Sequence, residues 1–422
     1  MPDTELTRTV DAVWRIESAR LVAAVAGIVR DVGLAEELAQ DALVAALEHW
    51  PSAGVPDNPA AWLMTTARNK ALDRIRQTAL HRRRQQELGA DVDARGEHQA
   101  PDVSTTLEDD HDIDDDLLRL IFTACHPVLT LDAQVALTLK LLAGLSTGEI
   151  ARAFLQSEST VAQRIVRAKK TLSAAQVPFE VPRGGHLHQR LDAALEVIYL
   201  IFNEGYSATA GDDWTRPALC EEAMRLARML VALVPRQREA HGLAALLELQ
   251  ASRLATRTDS GGRPILLLDQ DRAKWDWLLI NRGLAALAAA QALPGTPGPY
   301  ELQAAIAACH ASARTAQATD WAAIARIYET LARVQPSPVV QLNHAVAVSM
   351  AQGAAAALPL VEAIAAGGSL DDYHLLPAVQ GDLLLKLGRR AEARAAFERA
   401  AQLARNQRER TLLLERARAT LD

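Results

Sequence analysis

Apolar positions recur at helical spacing through the first eighty residues of the chain. One series predicts a helix that ends near Gly33: Ile16, Leu21, Val25 and Ile28. A second helix is predicted from Leu34 to the break at Trp50 and Pro51, and a loop rich in Pro, Gly and Asn follows it. A third helix is predicted from Ala60 through Ile75. Residues 1–80 are therefore predicted to form one compact helical unit.

The pattern changes after this unit. Residues 81–115 have few large apolar side chains and many charged ones, so they cannot bury enough surface to offset the entropy of ordering. We predict that they form a flexible acidic linker. Residues 116–176 regain helical periodicity and predict a second small unit. Residues 183–422 predict a third, much larger helical domain, in which Pro and Gly mark the turns.

Composition gives the fold class. A chain of 422 residues suggests roughly two to four domains. Hydrophobic residues, mainly Ala and Leu, make up 49% of it, whereas aromatic residues make up 4%. Ala and Leu favour helices, while aromatic side chains favour strands. We therefore predict an all-α protein: two small helical domains joined by a flexible acidic linker, followed by a large helical-repeat domain.

Charge is unevenly distributed. The net charge of -7 argues against a protein that coats nucleic acid indiscriminately. Two basic blocks stand out: Arg68, Lys70, Arg74, Arg76, Arg82, Arg83 and Arg84, and then Arg164, Arg167, Lys169 and Lys170. The acidic run between them includes Asp109, Asp110, Asp112, Asp114, Asp115 and Asp116. A single block is equally compatible with a solvated face, but this arrangement favours two DNA-binding surfaces.

Several classes of protein are disfavoured. Cys125, Cys220 and Cys309 are isolated and lack metal-ligand spacing, so we expect buried side chains in a reducing compartment. No apolar segment approaches the ~20 residues that span a bilayer, and the N-terminus lacks the features of a secretion signal. We expect a cytoplasmic protein with no membrane contact, no cofactor, no metal and no catalytic residues.

A helix-turn-helix is predicted in the second unit. Ser146 and Glu149 have the spacing of a capping box, and a turn at Leu155 and Gln156 leads into a second helix. That helix should bury Val161, Ile165 and Ala168. Its outward side chains suit base edges and phosphates of a major groove: Ser159, Thr160, Gln163, Arg164, Arg167, Lys169 and Lys170. The alternative is a helical hairpin whose polar face is only solvated.

The third predicted helix carries a family resemblance. It contains Trp62-Leu63, then Ala67-Arg68-Asn69, then Asp73 three residues before Arg76. In this order, ahead of a linker and a helix-turn-helix, the motifs resemble the extracytoplasmic-function (group IV) sigma factors of RNA polymerase. The segment 35–47 resembles that family's polymerase-clamp-binding helix.

The resemblance implies a role for each surface. Region 2 would occupy residues 1–80 and bind core RNA polymerase and the minus-ten element, while region 4 would occupy residues 116–176 and bind the minus-thirty-five element. The polymerase-binding candidates are Glu36, Glu37, Asp41, Leu43, Val44 and Leu47. The minus-ten candidates are Asn58, Trp62, Asn69, Lys70, Arg74 and Arg76. For Trp62 we favour a role as a core anchor over base stacking, and for Asp73 a salt bridge to Lys70 or Arg76.

The third domain contains a repeat-like pattern. Gly388, Ala393, Phe397 and Ala400 match the second helix of a tetratricopeptide repeat, and Gly381 stands where a small residue is required. A weaker copy contains Gly353, and a degenerate one contains Ala223, Ala227 and Pro235. Several polar and aromatic blocks resemble one sigma-factor subgroup with a tetratricopeptide-like C-terminal extension: residues 202–206, 269–276, 298–303 and 336–344. The resemblance implies that this domain modulates sigma activity, with a regulatory protein as its partner.

Two alternatives stay open on the sequence. One is a helix-turn-helix transcription regulator with a helical-repeat sensor that acts without replacing sigma. The other is an enzyme within residues 183–422, where Glu204, Asp269, Asp271 and His310 could in principle carry acid-base or metal chemistry. Because their spacing matches no known ligand pattern, we favour buried polar contacts between helices, or a peptide-binding groove.

Overall fold

The computed structural model is all-helical, which confirms the predicted class. It describes residues 2–89, 110–154, 156–182, 185–206, 215–259, 261, 263, 265–404 and 407–420. The chain divides into two compact units, the first ending at Val197 and the second beginning at Ile198. This division falls within a helix, Gly185–Tyr206, rather than at residue 183. Among the described residues, no helix has the length and apolar content needed to cross a membrane.

Within the described residues, seven helices precede the helix at the division. They are α1 (Pro2–Val29), α2 (Val32–Ala53), α3 (Pro59–Gly89), α4 (Asp110–Ala124), α5 (Leu131–Leu141), α6 (Thr147–Ala153) and α7 (Glu158–Ala174); the next is α8 (Gly185–Tyr206). The side chain of Asp31 begins α2 by accepting a hydrogen bond from the backbone N–H of Leu34 at 2.8 Å. Leu21 and Val25 of the predicted apolar face of α1 are buried and Ile28 is half-buried, but Ile16 is 70% exposed and does not belong to the core.

The second helix continues past the predicted break. Pro51 lies inside α2, which ends at Ala53 before Gly54, a residue with a φ of +84°. A proline in the last turn removes a single backbone hydrogen bond, so the helix tolerates it there. Trp50 is almost completely buried, and its carbonyl accepts a hydrogen bond from the N–H of Gly54 at 2.9 Å.

The predicted linker over residues 81–115 was too long at both ends. Residues 81–89 continue α3, and residues 110–115 begin α4. The first segment consists mostly of good helix formers, and the second places acidic residues at a helix N-terminus, where the helix dipole favours negative charge. The rest of the predicted linker, residues 90–109, lies outside the described residues.

The second unit is a succession of helices that pack on their sequence neighbours. After α8 come α9 (Pro217–Leu233), α10 (Arg238–Ala251), α11 (Trp277–Ala292), α12 (Pro299–Ser312), α13 (Trp321–Val334), α14 (Pro338–Gln352), α15 (Ala354–Ala366), α16 (Leu375–Lys386), α17 (Arg390–Leu403) and α18 (Gln407–Ala419). From α12 onward each helix contacts the next, and the buried side chains between them form two hydrophobic clusters, one across α12 to α14 and the other across α14 to α18.

The pair α16–α17 shows why small residues recur in this unit. Phe397 of α17 is fully buried, and Ala393 and Ala400 lie one turn on either side of it. A Cβ atom added to Gly381 of α16 would lie 2.9 Å from the ring of Phe397. Gly388 provides the turn between the two helices with a φ of +77°. The predicted glycines and the phenylalanine therefore build one close helix–helix contact.

Candidate polymerase-binding and DNA-binding surfaces

The helix-turn-helix is formed by α6 and α7, and its first helix begins with the predicted capping box. The N–H of Glu149 donates to Oγ of Ser146 at 3.2 Å, and the N–H of Ser146 donates to Oε2 of Glu149 at 2.8 Å. Burial opposes ionisation of Glu149, but the hydrogen bonds from Ser146, with help from Arg15 and Arg152, hold its pKa below the ordinary value. Leu155, in the predicted turn, lies outside the described residues.

The second helix of this motif has a buried and an exposed face. Ser157 caps α7 by accepting a hydrogen bond from the N–H of Thr160 at 3.1 Å. Val161, Ile165 and Ala168 are buried, as predicted. Five of the DNA-binding candidates are exposed: Ser159, Thr160, Gln163, Arg167 and Lys170.

The other two candidates are engaged by neighbouring side chains. Arg164 is half-buried; it donates to Oε1 of Gln156 at 3.0 Å and lies 3.4 Å from a carboxylate oxygen of Asp132. Lys169 forms an ion pair with Glu36 of α2. The periodicity of α7 therefore predicted its polar face, whereas Asp132 and Glu36, which lie far away in the sequence, were not predicted as partners.

The basic face of α3 begins at a capped turn. Asn58 is exposed, and its side-chain oxygen accepts a hydrogen bond from the N–H of Ala61 at 3.0 Å. Trp62, Asn69 and Arg76 follow at intervals of seven residues, which places them on one side of the helix. Lys70 and Arg74 lie on the adjacent side, one turn apart. Arg82, Arg83 and Arg84 also fall within α3, but their side chains lie outside the described residues.

Trp62 and Asp73 have neighbours within the protein. The half-buried ring of Trp62 meets the ring of Trp50 edge-on at 5.5 Å and stacks with the imidazole of His49 at 6.0 Å. Its anchoring to Trp50 agrees with the expected core role, although one part of the ring stays accessible. Asp73 lies 3.3 Å from Arg76, one of the two predicted partners.

The candidate polymerase face runs along α2. Glu37, Asp41 and Val44 recur at helical spacing and are exposed, Leu47 is 42% exposed beside them, and Leu43 is partly buried. Such a face suits a partner surface that presents basic and apolar side chains next to each other.

Glu36 does not belong to this exposed face. It is 5% exposed, and its carboxylate lies between Lys140 of α5, 3.6 Å away, and Lys169 of α7. Gln40, one turn along α2, donates to it at 2.9 Å. The sequence predicted that Glu36, like Glu37, contacts the polymerase, but it did not predict that Glu36 pairs with the two lysines.

Three family models match the chain. Sigma-70 region 2 matches residues 16–81, sigma-70 region 4 matches residues 119–172, and a family of unknown function (DUF6596) matches residues 190–291. The two sigma models thus coincide with the helices that carry the three surfaces. The chain belongs to the extracytoplasmic-function sigma factors. As a sigma factor, it directs core RNA polymerase to promoters.

Three relatives illustrate the similarity, and two of them are named as ECF sigma factors. An uncharacterized protein of Rhizobium meliloti is 45% identical over 381 residues, which is 89% of this sigma factor and 88% of the relative. The probable ECF RNA polymerase sigma factor SigI of Mycobacterium tuberculosis is 27% identical over 42% of this chain and 59% of its own length. ECF RNA polymerase sigma factor SigK of a Mycobacterium species is 35% identical over 22% of this chain and 49% of its own. The chain therefore spans less than two thirds of SigI and SigK.

The polar blocks of the second unit serve as helix caps and interhelical contacts. Glu204 forms an ion pair with Arg216, and Asp271 accepts a hydrogen bond from the N–H of Ala273 at 3.1 Å. Buried Arg272 donates to the carbonyl of His310 at 2.7 Å, which ties residues 272–274 to the end of α12. Glu239 caps the other end of α12, accepting from the N–H groups of Tyr300 and Glu301 at 2.9 and 3.0 Å.

Burial shifts the pKa values of His310 and of two cysteines. Burial, with Arg253 and Arg272 nearby, lowers the pKa of His310 to about 4, and its ring packs edge-on against Trp321 at 5.1 Å. Burial raises the thiol pKa of Cys125 to about 11 and that of Cys220 to about 12. Within the described part of the sigma factor, no cluster of His, Cys, Asp or Glu could hold a metal ion. Asp269 is exposed.

Proposed function

We propose that this sigma factor divides promoter recognition between α3 and α7 while α2 binds the polymerase. The observation that carries the proposal is the exposure of two separate basic helices within the segments that match regions 2 and 4. In the proposed arrangement, the face of Asn69, Lys70, Arg74 and Arg76 holds the melted minus-ten strand, beside the loop that ends at Asn58. A melted strand exposes bases and phosphates, which such a face can bind without reading a duplex.

Gln163 and Arg167 would recognise the bases of the minus-thirty-five element. Both are exposed one turn apart on α7, and amide and guanidinium groups pair with adenine and guanine edges in the major groove. Ser159, Thr160 and Lys170 would position the helix on the phosphates, which adds affinity without sequence information.

The second unit would modulate sigma activity, with a regulatory protein as its partner, and would catalyse no reaction. Two features support this. Its small-residue contacts, such as Gly381 against Phe397, resemble those of tetratricopeptide-type helix pairs, which present extended binding surfaces. Its polar blocks are occupied in helix caps and ion pairs. Such a protein would act in the cytoplasm, where the polymerase is.

Run-off transcription tests the main proposal. Full-length protein mixed with core polymerase and a library of upstream sequences from its host should give transcripts that depend on a minus-ten and a minus-thirty-five element. Gel shifts with and without core polymerase test the alternative hypothesis, a regulator that binds DNA without the polymerase. Binding to duplex promoter DNA that needs no polymerase, together with no promoter-specific transcript, would favour that rival.

Arg167→Ala should weaken holoenzyme binding by about 1–3 kcal/mol on a promoter with the preferred minus-thirty-five element, and by less on a promoter mutated there. Arg164→Ala should show a smaller selective loss, because its guanidinium is held by Gln156 and Asp132. Promoter affinities measured on the two DNA sequences check both. Lys170→Ala is the control for a phosphate contact and should lose the same affinity on both promoters. An equal loss of affinity on both promoters for Arg167→Ala would show that Arg167 does not recognise a base.

A further inference from the structure

Three arginine side chains come together in the second unit: Arg253, Arg257 and Arg272. The guanidinium carbons of Arg257 and Arg253 lie 3.6 and 5.4 Å from the centre of the Tyr206 ring, so both side chains approach the same ring. The N–H of Asp276 donates to the carbonyl of Ser252 at 2.7 Å. This hydrogen bond ties the segment that carries Arg272 to the segment that carries the other two arginines.

Arg253 and Arg272 have only uncharged partners within the part of the chain that the structure describes. Arg253 is half-buried, and besides its contact with the tyrosine ring it donates to the amide oxygen of Gln250 at 3.0 Å. Arg272 is 5% exposed and donates to two backbone carbonyls and to Oγ1 of Thr319. Its Nε is buried and has no acceptor among the described residues. Neither guanidinium is therefore neutralised by a carboxylate there.

The positive charges in this cluster repel one another. Burial lowers the pKa of Arg272 and of His310, and the positive charge of Arg253 lowers both further. Like charges held away from water oppose folding unless an opposite charge joins them. Arg238 of the same unit has such a partner, because its guanidinium pairs with Glu301. An anion bound beside Arg253 would supply the same compensation to the cluster.

We propose that Arg253, with Arg257 and Arg272 beside it, forms a binding site for a phosphate group. Arg253 is the side chain that contacts the ligand, because it is half-buried while the other two arginines are buried. The Tyr206 ring supports the guanidinium groups of Arg253 and Arg257 through cation–π contacts. The site lies in the second unit, so it does not depend on the polymerase and DNA contacts proposed above.

Phosphate fits this cluster better than a carboxylate does. A guanidinium presents parallel N–H groups that pair with two oxygens of one anion, and Arg253 uses only part of this set on Gln250. A phosphate group carries more oxygens than a carboxylate and close to two negative charges near neutral pH, so it can compensate more than one arginine. The ligand is either free phosphate or the phosphate group of a small molecule.

Isothermal titration calorimetry of the full chain with inorganic phosphate, at constant ionic strength, tests the site. Phosphate should bind saturably, and Arg253→Met should weaken the binding at least about tenfold, because methionine keeps an apolar stem and removes the charge-assisted hydrogen bonds. Arg236→Met is the matched control: it removes an exposed arginine of the same unit and should leave the affinity unchanged.

Failure of the unaltered chain to bind phosphate saturably would overturn the proposal. An equal loss of affinity in the two variants would also overturn it, since such a loss reports only net charge. A nucleoside monophosphate and citrate, titrated in the same way, identify the ligand. Tighter binding of the nucleotide indicates a phosphorylated small molecule, and tighter binding of inorganic phosphate indicates the free ion. Citrate binding more tightly than both would refute the assignment to phosphate.

Thermal unfolding of the same proteins gives an independent measurement. Without phosphate, Arg253→Met should unfold at the same temperature as the unaltered chain or a higher one, because the substitution removes a like charge from the cluster. Phosphate should raise the unfolding temperature of the unaltered chain and of Arg236→Met, but not that of Arg253→Met. If Arg253→Met unfolds at a lower temperature without phosphate, Arg253 is a structural contact and the inference is wrong.

Discussion

Full-length protein carrying Asp41→Lys is expected to bind core RNA polymerase at least about tenfold more weakly than the unaltered chain. Asp41 is exposed in the middle of the α2 face, between Glu37 and Val44, and makes no ion pair with another described residue. Reversing the charge at Asp41 would place a lysine against the basic polymerase surface that sigma factors of this family are expected to contact. Fluorescence anisotropy of labelled protein titrated with core polymerase measures the change.

Binding measured at several salt concentrations, together with a control variant, separates this local effect from the effect of a changed net charge. The difference between Asp41→Lys and the unaltered chain should shrink as ionic strength rises, because exposed charges are screened within about 10 Å at 0.1 M salt. Glu196→Lys makes the same change at an exposed position of α8 and should bind normally. If both variants bind like the unaltered chain, α2 does not contact the polymerase at this position.

Phe397→Ala is expected to lower the free energy of unfolding of the second unit by about 3–5 kcal/mol. The ring is fully buried between α16 and α17, and Gly381 leaves the space that it fills. Alanine would leave a cavity that packed helices close only in part. Thermal and urea unfolding of the full chain, followed by hydrogen exchange in peptides from α14 to α18, locates the loss.

The matched control is Leu385→Ala on α16. Because the side chain of Leu385 is 37% exposed, this substitution should lower the free energy of unfolding by less than about 1 kcal/mol. The peptides of α6 and α7 should keep their protection in both variants, because the first unit has a separate core. Equal destabilisation by the two substitutions would contradict the packing of Phe397 against Gly381.

The sequence identified the parts of the structure that depend on neighbouring residues. The capping box of Ser146 and Glu149 and the buried stripe of Val161, Ile165 and Ala168 follow from rules that act within one or two turns of helix. The same holds for Gly381, Gly388 and Phe397, whose spacing already indicated a helix pair. Local composition was less informative at residues 81–115, where charged side chains proved compatible with the ends of two helices.

By itself, then, the sequence determined that the protein is helical, which faces of its helices are polar, and which family motifs these helices carry. The tertiary structure alone decided which polar side chains are exposed. Glu36 and Glu37 are adjacent and chemically alike, yet one is buried between Lys140 and Lys169 and the other is exposed. The physical reason is that a charge becomes buried only where packing brings opposite charges to it, and these come from helices far away in the chain.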